Sequence, residues 1–356
     1  MRAAARAAAG RASGGVVPEL LDEYGAVVRR HVDEYLRARA GGAAAHLYDL
    51  VRDYPARGGR SLRSTLCIAT ARAFGAPIED ALRSAVALEI LHNAFLVHDD
   101  IEDASEERRG SPTLHVLHGV PIAINAGDAM AVLSLGPLIE NRRALGVRRA
   151  FSIIEETEAM ARDTVEGQAI ELGWRRDNAI DLEEADYLRL ILKKTCAYST
   201  IFPIRVGAII GAGERSDADM ARLGGYGFFV GAAFQIEDDL LNLVGDARAY
   251  GKELDGDIWE WKRTLMLVRL LAHATPDERV RLQRFLALPR PEKSPADVRW
   301  IRQQMDRHGC LEYARGVAHG LAGAARHEFA DAFGGVAESR DRAFLEALPQ
   351  WVLERS

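Results

Sequence analysis

The sequence predicts an all-α protein, a single large antiparallel helix bundle with a cavity in its core. Three observations predict it. From Pro18 onward, apolar residues recur at helical spacing through nearly the whole chain. No run alternates with a period of two, and no Asn-Gly hairpin signal occurs. No interior stretch is rich enough in Pro, Gly and Ser to separate domains, and no segment repeats. One domain over residues 18–356 is therefore expected. Ahead of it, Met1–Val17 (MRAAARAAAGRASGGVV) carries Arg, Ala and Gly without acids and is expected to be a disordered tail. A transit peptide is the alternative its composition allows; it lacks the apolar core of a secretory signal.

The elements follow in order. Leu20, Leu21, Tyr24, Val27, Val28, His31, Val32, Tyr35 and Leu36 mark the first helix, which Gly41-Gly42 ends. A short helix near Ala43–Tyr54 stops at Pro55. Ala56–Ser64 (ARGGRSLRS) sets glycines and Arg57, Arg60 and Arg63 at the start of the next apolar helix, a combination suited to an anion. Pro77 opens a long helix that ends in DDIED. Helical periodicity returns over Asp128–Ile139, Val147–Trp174, Leu182–Gly211 and Asp217–Val244. Gly245–Lys262 reads as a loop, and from Arg263 helices run on, broken near Pro289–Pro295.

Composition narrows the function classes. The 356 residues are 48% hydrophobic and 28% charged, as in an ordinary globular protein. A net charge of −6, with acids and bases interspersed, implies no bulk affinity for nucleic acid. Cys67, Cys196 and Cys310 give neither a disulfide framework nor metal-ligand spacing, so a reducing cytoplasm is expected. No apolar stretch is expected to approach the roughly 20 residues that span a bilayer.

The chemistry is concentrated in two acidic motifs. Leu91–Thr113 contains Asp99, Asp100 and Asp103 behind the apolar run Ala94–Val97. On a helix Asp99 and Asp103 lie one above the other, with Asp100 beside them. Stacked carboxylates repel unless a cation intervenes. Arg108-Arg109-Gly110 follows on a turn, so a metal ion and a phosphate are the natural occupants of the space between. Far downstream, Phe234–Asn242 (FQIEDDLLN) repeats the pair as Asp238 and Asp239, with Asn242 in the place of Asp103. Mg2+ binds through a few carboxylates plus substrate phosphates. The pair of motifs therefore reads as a site for a magnesium diphosphate. Lys193-Lys194-Thr195 lies inside an apolar run, where a lysine needs an anion or a route to solvent.

These blocks resemble the trans-polyprenyl diphosphate synthases, which have the type I isoprenoid synthase fold. The resemblance runs from about Gly58 to Thr264: GGRSLR, HNAFLVHDDIED with RRG, Gly167-Gln168, Lys194-Thr195, and FQIEDD followed by GK and KRT. It continues weakly to the C-terminal LPQWVLERS. It implies that Asp99, Asp100, Asp103, Asp238 and Asp239 hold Mg2+ on an allylic diphosphate. Arg108, Lys194, Thr195, Gln235, Lys252 and Lys262 would contact that diphosphate, with Lys194 counted with the aspartates as catalytic. Arg60, Arg63, His92 and Arg109 would hold isopentenyl diphosphate. A homodimer is the family expectation. Three positions depart from the pattern: Arg60 where most members have Lys, Ser61 where many have Arg, and Asn242 for the last Asp. GQAIELGWRRDN and the DDxxN motif are similar to the geranylgeranyl diphosphate synthases of animals and fungi.

No Ser-His-Asp or Cys-His pattern supplies a nucleophile. The implied reaction is ionisation of the allylic diphosphate, attack by the isopentenyl alkene, and loss of a proton. Ala94 and Phe95 lie about one turn, roughly 5 Å, below Asp99 and are the candidates for limiting chain length. Fifteen- and twenty-carbon products both fit a small Ala94 beside a bulky Phe95, and the subgroup resemblance favours twenty. Two rivals stand: a terpene cyclase, which has no use for Arg60, Arg63, His92 and Arg109, and a non-catalytic partner subunit, which would be expected to lose acidic positions.

Overall fold

The computed structural model describes residues 15–213, 217–244 and 255–355. The expected N-terminal tail falls outside these except at its last residues, and Lys252 lies outside them as well. The architecture is the expected helix bundle. In chain order the helices are α1 (Val16–Arg37), α2 (Ala45–Ala56), α3 (Leu62–Ala73), α4 (Ile78–Glu102), α5 (Leu114–His118), α6 (Val120–Ala144) and α7 (Val147–Arg176). They continue with α8 (Glu184–Ile191), a π-helical segment (Leu192–Ile201), α9 (Phe202–Ala212), α10 (Asp217–Val244) and the single turn α11 (Gly256–Trp259). The last are α12 (Leu265–His273), α13 (Pro276–Ala287), α14 (Pro295–Arg307), α15 (Cys310–Phe333) and α16 (Arg340–Glu354).

Helix α4 occupies the centre. Its residues from Ser84 to Ala94 are buried without a break, which explains why its sequence is apolar all round rather than on one stripe. It packs chiefly on α6 and α3, and α10 packs on α15. One core cluster gathers α1, α3, α4, α6 and α9; a second joins α8, α10, α12 and the C-terminal helices. The cavity opens along the seam between them. Helix α1 is amphipathic, burying Leu20, Leu21, Tyr24, Val28, Val32 and Leu36 as its spacing predicts.

Several expectations need correction. Helix α6 begins at Val120, right after Gly119 (φ 85°), and not at Asp128. Pro55 does not stop α2; it sits inside its last turn. Glu107-Arg108 and Ser111-Pro112 form a tiny antiparallel ladder, turning through Arg109 (φ 55°) and Gly110 (φ 71°). Two residues per strand are too few to leave a periodic signal. The Leu182–Gly211 run is not one α-helix, because Leu192–Ile201 is wound as a π-helix. Finally, Val120–Ala144 and Glu184–Ala212 are each long and apolar enough, by length and composition, to cross a membrane. The apolar window of the second is 72% buried, so it is a core element of the bundle.

Candidate active site

The first acidic motif sits at the C-terminal end of α4, where the helix dipole is negative, and the second lies more than a turn before Val244 in α10. Adjacent carboxylates disfavour one another, and at α4 the dipole adds to this, so each motif needs compensation. The first motif finds it in cations. Arg108 Nε donates to Asp100 at 2.6 Å, and its Nη2 lies 3.3 Å from Asp99. Lys194 Nζ lies 3.5 Å from Asp99. Asp103 is held by Arg175 and, at 3.2 Å, by Lys262. Burial and the neighbouring Asp103 push the Asp99 carboxyl up, but Lys194, Lys262 and Arg108 outweigh them and its pKa falls below the usual range. Burial opposes ionisation of Asp103 too; Lys262, Arg175 and Lys194 reverse it and hold its pKa far below normal.

Asp100 is placed differently from its expected role. It is 1% exposed and bonded to Arg108 and the Tyr54 hydroxyl, away from the cavity wall. Burial raises its pKa although Arg108 opposes it. The geometry suits a group that orients Arg108 better than one that meets a metal.

At the second motif the two carboxylates differ, and Asp239 relies on neutral donors. Asp239 accepts from Tyr187 Oη at 2.9 Å and from Gln235 Nε2 at 2.7 Å. Gln235 in turn accepts from Thr195 Oγ1 at 3.0 Å. Burial first, then the charge of Asp257, lifts Asp239 well above the usual carboxylate range despite those two bonds. Asp238 lies 3.6 Å from Arg355 of the C-terminal tail. Asn242 ties this helix to the next element. Its Oδ1 accepts from the Asp257 amide at 3.1 Å, and its carbonyl accepts from the Asp255 amide, so it pins the start of α11.

The motifs meet in one cavity of about 590 Å3, lined among others by Asp99, Arg108, Lys194, Asp238, Asp239 and Lys262. That volume suits a mid-sized ligand. Lys194 enters it because α7 and the π-helical segment touch backbone to backbone. A Cβ on Gly167 would collide with the Lys194 amide nitrogen, so only glycine fits. This is the physical content of the Gly167-Gln168 block. Lys194 also pairs with buried Glu171; burial opposes its charge, but Glu171 and Asp99 raise its pKa.

The residues expected at the second diphosphate are only partly gathered. Arg63 lines the cavity and donates to Tyr198 Oη at 2.8 Å and Ser199 Oγ at 2.9 Å. His92 Nε2 is 3.4 Å from Arg63, while its buried Nδ1 has no partner. Burial, Arg63 and Arg109 keep that imidazole neutral. Arg109 folds over Gly59 and donates to the Tyr54 carbonyl. Arg60 is exposed, 5.9 Å from the Trp351 ring, and does not line the cavity. Deeper down, Ala94 and Phe95 both line the wall. Phe95 rests edge-on against Tyr198 with centroids 5.7 Å apart, leaning toward the π-helical segment.

Sequence reasoning assigned no role to Tyr54, Glu171, Arg175, Tyr187 or Tyr198. Glu171 and Arg175 were findable, since they stand three and seven residues beyond Gln168 on one helical face. The tyrosines gave no local signal. Among the described residues no three acidic, histidine or cysteine side chains cluster closely enough to hold a metal by themselves. The donor set is all oxygen, paired with lysine and arginine at Asp99 and Asp103 and with a phenol and an amide at Asp239. Such a set fits a hard divalent ion that arrives with phosphates of its own.

Residues 44–305 match the profile of the Polyprenyl synthetase family. The chain is 36% identical over 300 residues to the short chain isoprenyl diphosphate synthase of Methanothermobacter thermautotrophicus, covering 84% of this chain and 87% of that one. It is 35% identical over 265 residues to the geranylgeranyl diphosphate synthase of Saccharolobus solfataricus, covering 73% and 76%. The crystal structure of geranylgeranyl pyrophosphate synthase from Corynebacterium glutamicum, complexed with isoprenyl diphosphate and magnesium, superposes with a TM-score of 0.84 at 25% identity, over 94% of this chain and 99% of that one.

Proposed function

We propose that this chain, which belongs to the polyprenyl synthetase family and is a trans-prenyltransferase, condenses isopentenyl diphosphate with allylic diphosphates to make geranylgeranyl diphosphate. The observation that carries the reading is the single cavity in which Asp99 and the Asp238-Asp239 pair face a set of lysines and arginines. Asp99, Asp103, Asp238 and Asp239 would hold Mg2+. When bound, Mg2+ would neutralise charge on the leaving diphosphate as a Lewis acid. The magnesium in the Corynebacterium glutamicum complex supports that choice of ion.

The chain's own groups then have defined tasks. Arg108, Lys194 and Lys262 offer preorganised cations where negative charge grows as the allylic C–O bond breaks and its electron pair leaves with diphosphate. Gln235 and Thr195 are linked and set beside Asp239, so they can orient the same group. Arg63, His92 and Arg109 hold the second diphosphate; the orphaned His92 Nδ1 is a donor or acceptor waiting for a ligand. The isopentenyl alkene supplies the electron pair of the new C–C bond, and a proton then leaves to the released diphosphate. No side chain need act as nucleophile.

Product length follows from the wall. Phe95 leans on Tyr198, which leaves the Ala94 side open beside Ala131. Each buried methylene contributes about 0.8 kcal/mol, so a further five-carbon unit is favoured by roughly 4 kcal/mol where space exists. This supports twenty carbons over fifteen, with Ala94 the more sensitive of the two candidates. A homodimer is supported by an exposed apolar stripe on α6, from Val120 and Ile124 to Val132, Leu135 and Ile139. Three free buried cysteines agree with a cytoplasmic setting.

The test is turnover of purified protein with Mg2+, isopentenyl diphosphate and each of dimethylallyl, geranyl and farnesyl diphosphate, with products resolved by chain length. A twenty-carbon diphosphate is expected, and Ala94→Phe should shorten it to fifteen. A cyclic hydrocarbon formed without isopentenyl diphosphate would replace the synthase by a cyclase, and no turnover at all would point to a silent subunit.

A further inference from the structure

Lys293 lies in the turn between α13 and α14, outside the cavity lining, and the reaction above has no use for it. It is nevertheless buried, with 6% of the residue exposed. Its Nζ donates to the carbonyl oxygens of Trp259 at 3.1 Å and Ile258 at 3.4 Å. The same nitrogen stands 4.2 Å from the centre of the Trp261 ring and 4.3 Å from that of Phe285. No carboxylate pairs with it among the described residues. Burial, with Arg263, Arg290 and Arg175 nearby, pushes its pKa down to about 6. Near neutral pH it is mainly a neutral N–H donor, the form a dry pocket without a counter-ion tolerates.

What it grips is the end of α11. That single turn is flanked by two residues in the left-handed region, Asp255 (φ 59°) and Trp261 (φ 67°). A bulky tryptophan holds such a conformation only where its surroundings over-determine it. Lys293 covers the last carbonyls of α11 and packs on the indole. From the other side, buried Arg263 donates to the Trp261 carbonyl at 2.7 Å. The residue between them in sequence is Lys262, whose amide bonds the Asp257 carbonyl at 3.0 Å. Its ammonium reaches 3.2 Å from Asp103. The Trp261 turn therefore decides where the Lys262 ammonium stands.

We propose that Lys293 is a positioning residue: it holds the Trp261 turn from behind and thereby fixes Lys262 at the allylic diphosphate. This rests on the reading that Lys262 contacts that diphosphate. The test compares full-length wild type, Lys293→Met, Lys293→Gln, Lys262→Met and the Lys262→Met/Lys293→Met double variant, measuring KM for geranyl diphosphate and for isopentenyl diphosphate. Lys293→Met is expected to raise the geranyl diphosphate KM about tenfold, the scale of a misplaced binding group. The isopentenyl diphosphate KM stays within about twofold, and the double variant is no worse than Lys262→Met alone, since both changes remove one contact. Lys293→Gln keeps an N–H donor and is expected to show the same split at about threefold. It also carries the test if Lys293→Met does not fold. Equal changes in both KM values, or effects that add in the double variant, overturn the proposal. A Lys262→Met effect with none from either Lys293 variant overturns it while sparing the Lys262 reading. No effect from Lys262→Met overturns that reading, and the proposal falls with it.

Discussion

Helices α4 and α10 carry the same pair of adjacent aspartates, yet the surroundings of Asp99 and Asp239 are opposite. At α4, Arg108, Lys194, Arg175 and Lys262 answer each carboxylate with a charge, and Asp99 and Asp103 are held below their usual pKa range. At α10, Asp239 has only a phenol and an amide among the described residues, and burial lifts its pKa. The first end therefore sets several cations against its carboxylates, whereas among the described residues Asp239 has none at ion-pair distance. On the proposed reading a cation would gain most beside Asp239, and one bound at the first end would compete there with a lysine or an arginine. The two halves would then exchange partners, the carboxylates turning from ammonium to metal and the ammonium groups to diphosphate.

The largest expected effect separates the two ends directly. Asp103→Asn and Asp239→Asn should each lower kcat about a thousandfold, because each removes a carboxylate proposed to hold Mg2+. Their stabilities should diverge. Asp103→Asn takes from Arg175 and Lys262 the carboxylate they share, leaving them Glu171 and Glu260, and is expected to destabilise by about 3 kcal/mol in urea melts, the low end for a broken buried pair. Asp239→Asn removes a charge that burial already opposes and should stay within about 1 kcal/mol of wild type. Equal losses would end the distinction.

Next comes a pH effect in the segment that carries Lys262. Lys293 falls from the ordinary lysine value of 10.5 to about 6 on folding. Between those values the unfolded chain binds the extra proton, so this residue's contribution rises with pH and is lost as pH falls toward 6. Relative to Lys293→Met, wild-type stability should therefore gain up to about 1.4 kcal/mol per pH unit from roughly 6.5 to 8.5. Parallel curves for the two proteins would contradict it. Smaller again, Tyr187→Phe removes one of the two donors to Asp239 and should lower kcat/KM about tenfold, equivalent to one hydrogen bond of about 1.4 kcal/mol. The smallest change is at Asn242. Asn242→Leu loses the acceptor for the Asp257 amide and should cost about 1 kcal/mol, whereas Asn242→Asp keeps that acceptor and should melt as wild type does.

Much of this was legible in the sequence. Asp99, Lys194, Asp238 and Asp239 could be placed at one cavity, because helical period and the apolar runs before each motif fix which way those side chains face. The fold class was legible for the same reason. What stayed hidden was long-range or irregular. The π-helical winding of Leu192–Ile201 leaves the apolar pattern nearly unchanged, so it reads as ordinary helix. The Tyr54 and Tyr187 bonds join residues 46 and 52 positions apart, which no local spacing reports. Asn242 stood as a tolerated departure from the last Asp, and its bond to the Asp257 amide was hidden, because a side chain that caps a neighbouring turn and one that faces a ligand are indistinguishable in sequence. Asp100 looked like a third ligand until burial turned it toward Tyr54 and Arg108.

The most direct measurement is calorimetric titration of Mg2+ into the purified chain, alone and with a non-ionising thio analogue of geranyl diphosphate. Internally paired carboxylates with no preformed three-ligand cluster among the described residues predict weak binding of Mg2+ alone. With the analogue present, the affinity should gain about a hundredfold or more, about 2.7 kcal/mol. Tight stoichiometric binding of Mg2+ to the free chain, unchanged by the analogue, would contradict the exchange of partners on which this account depends.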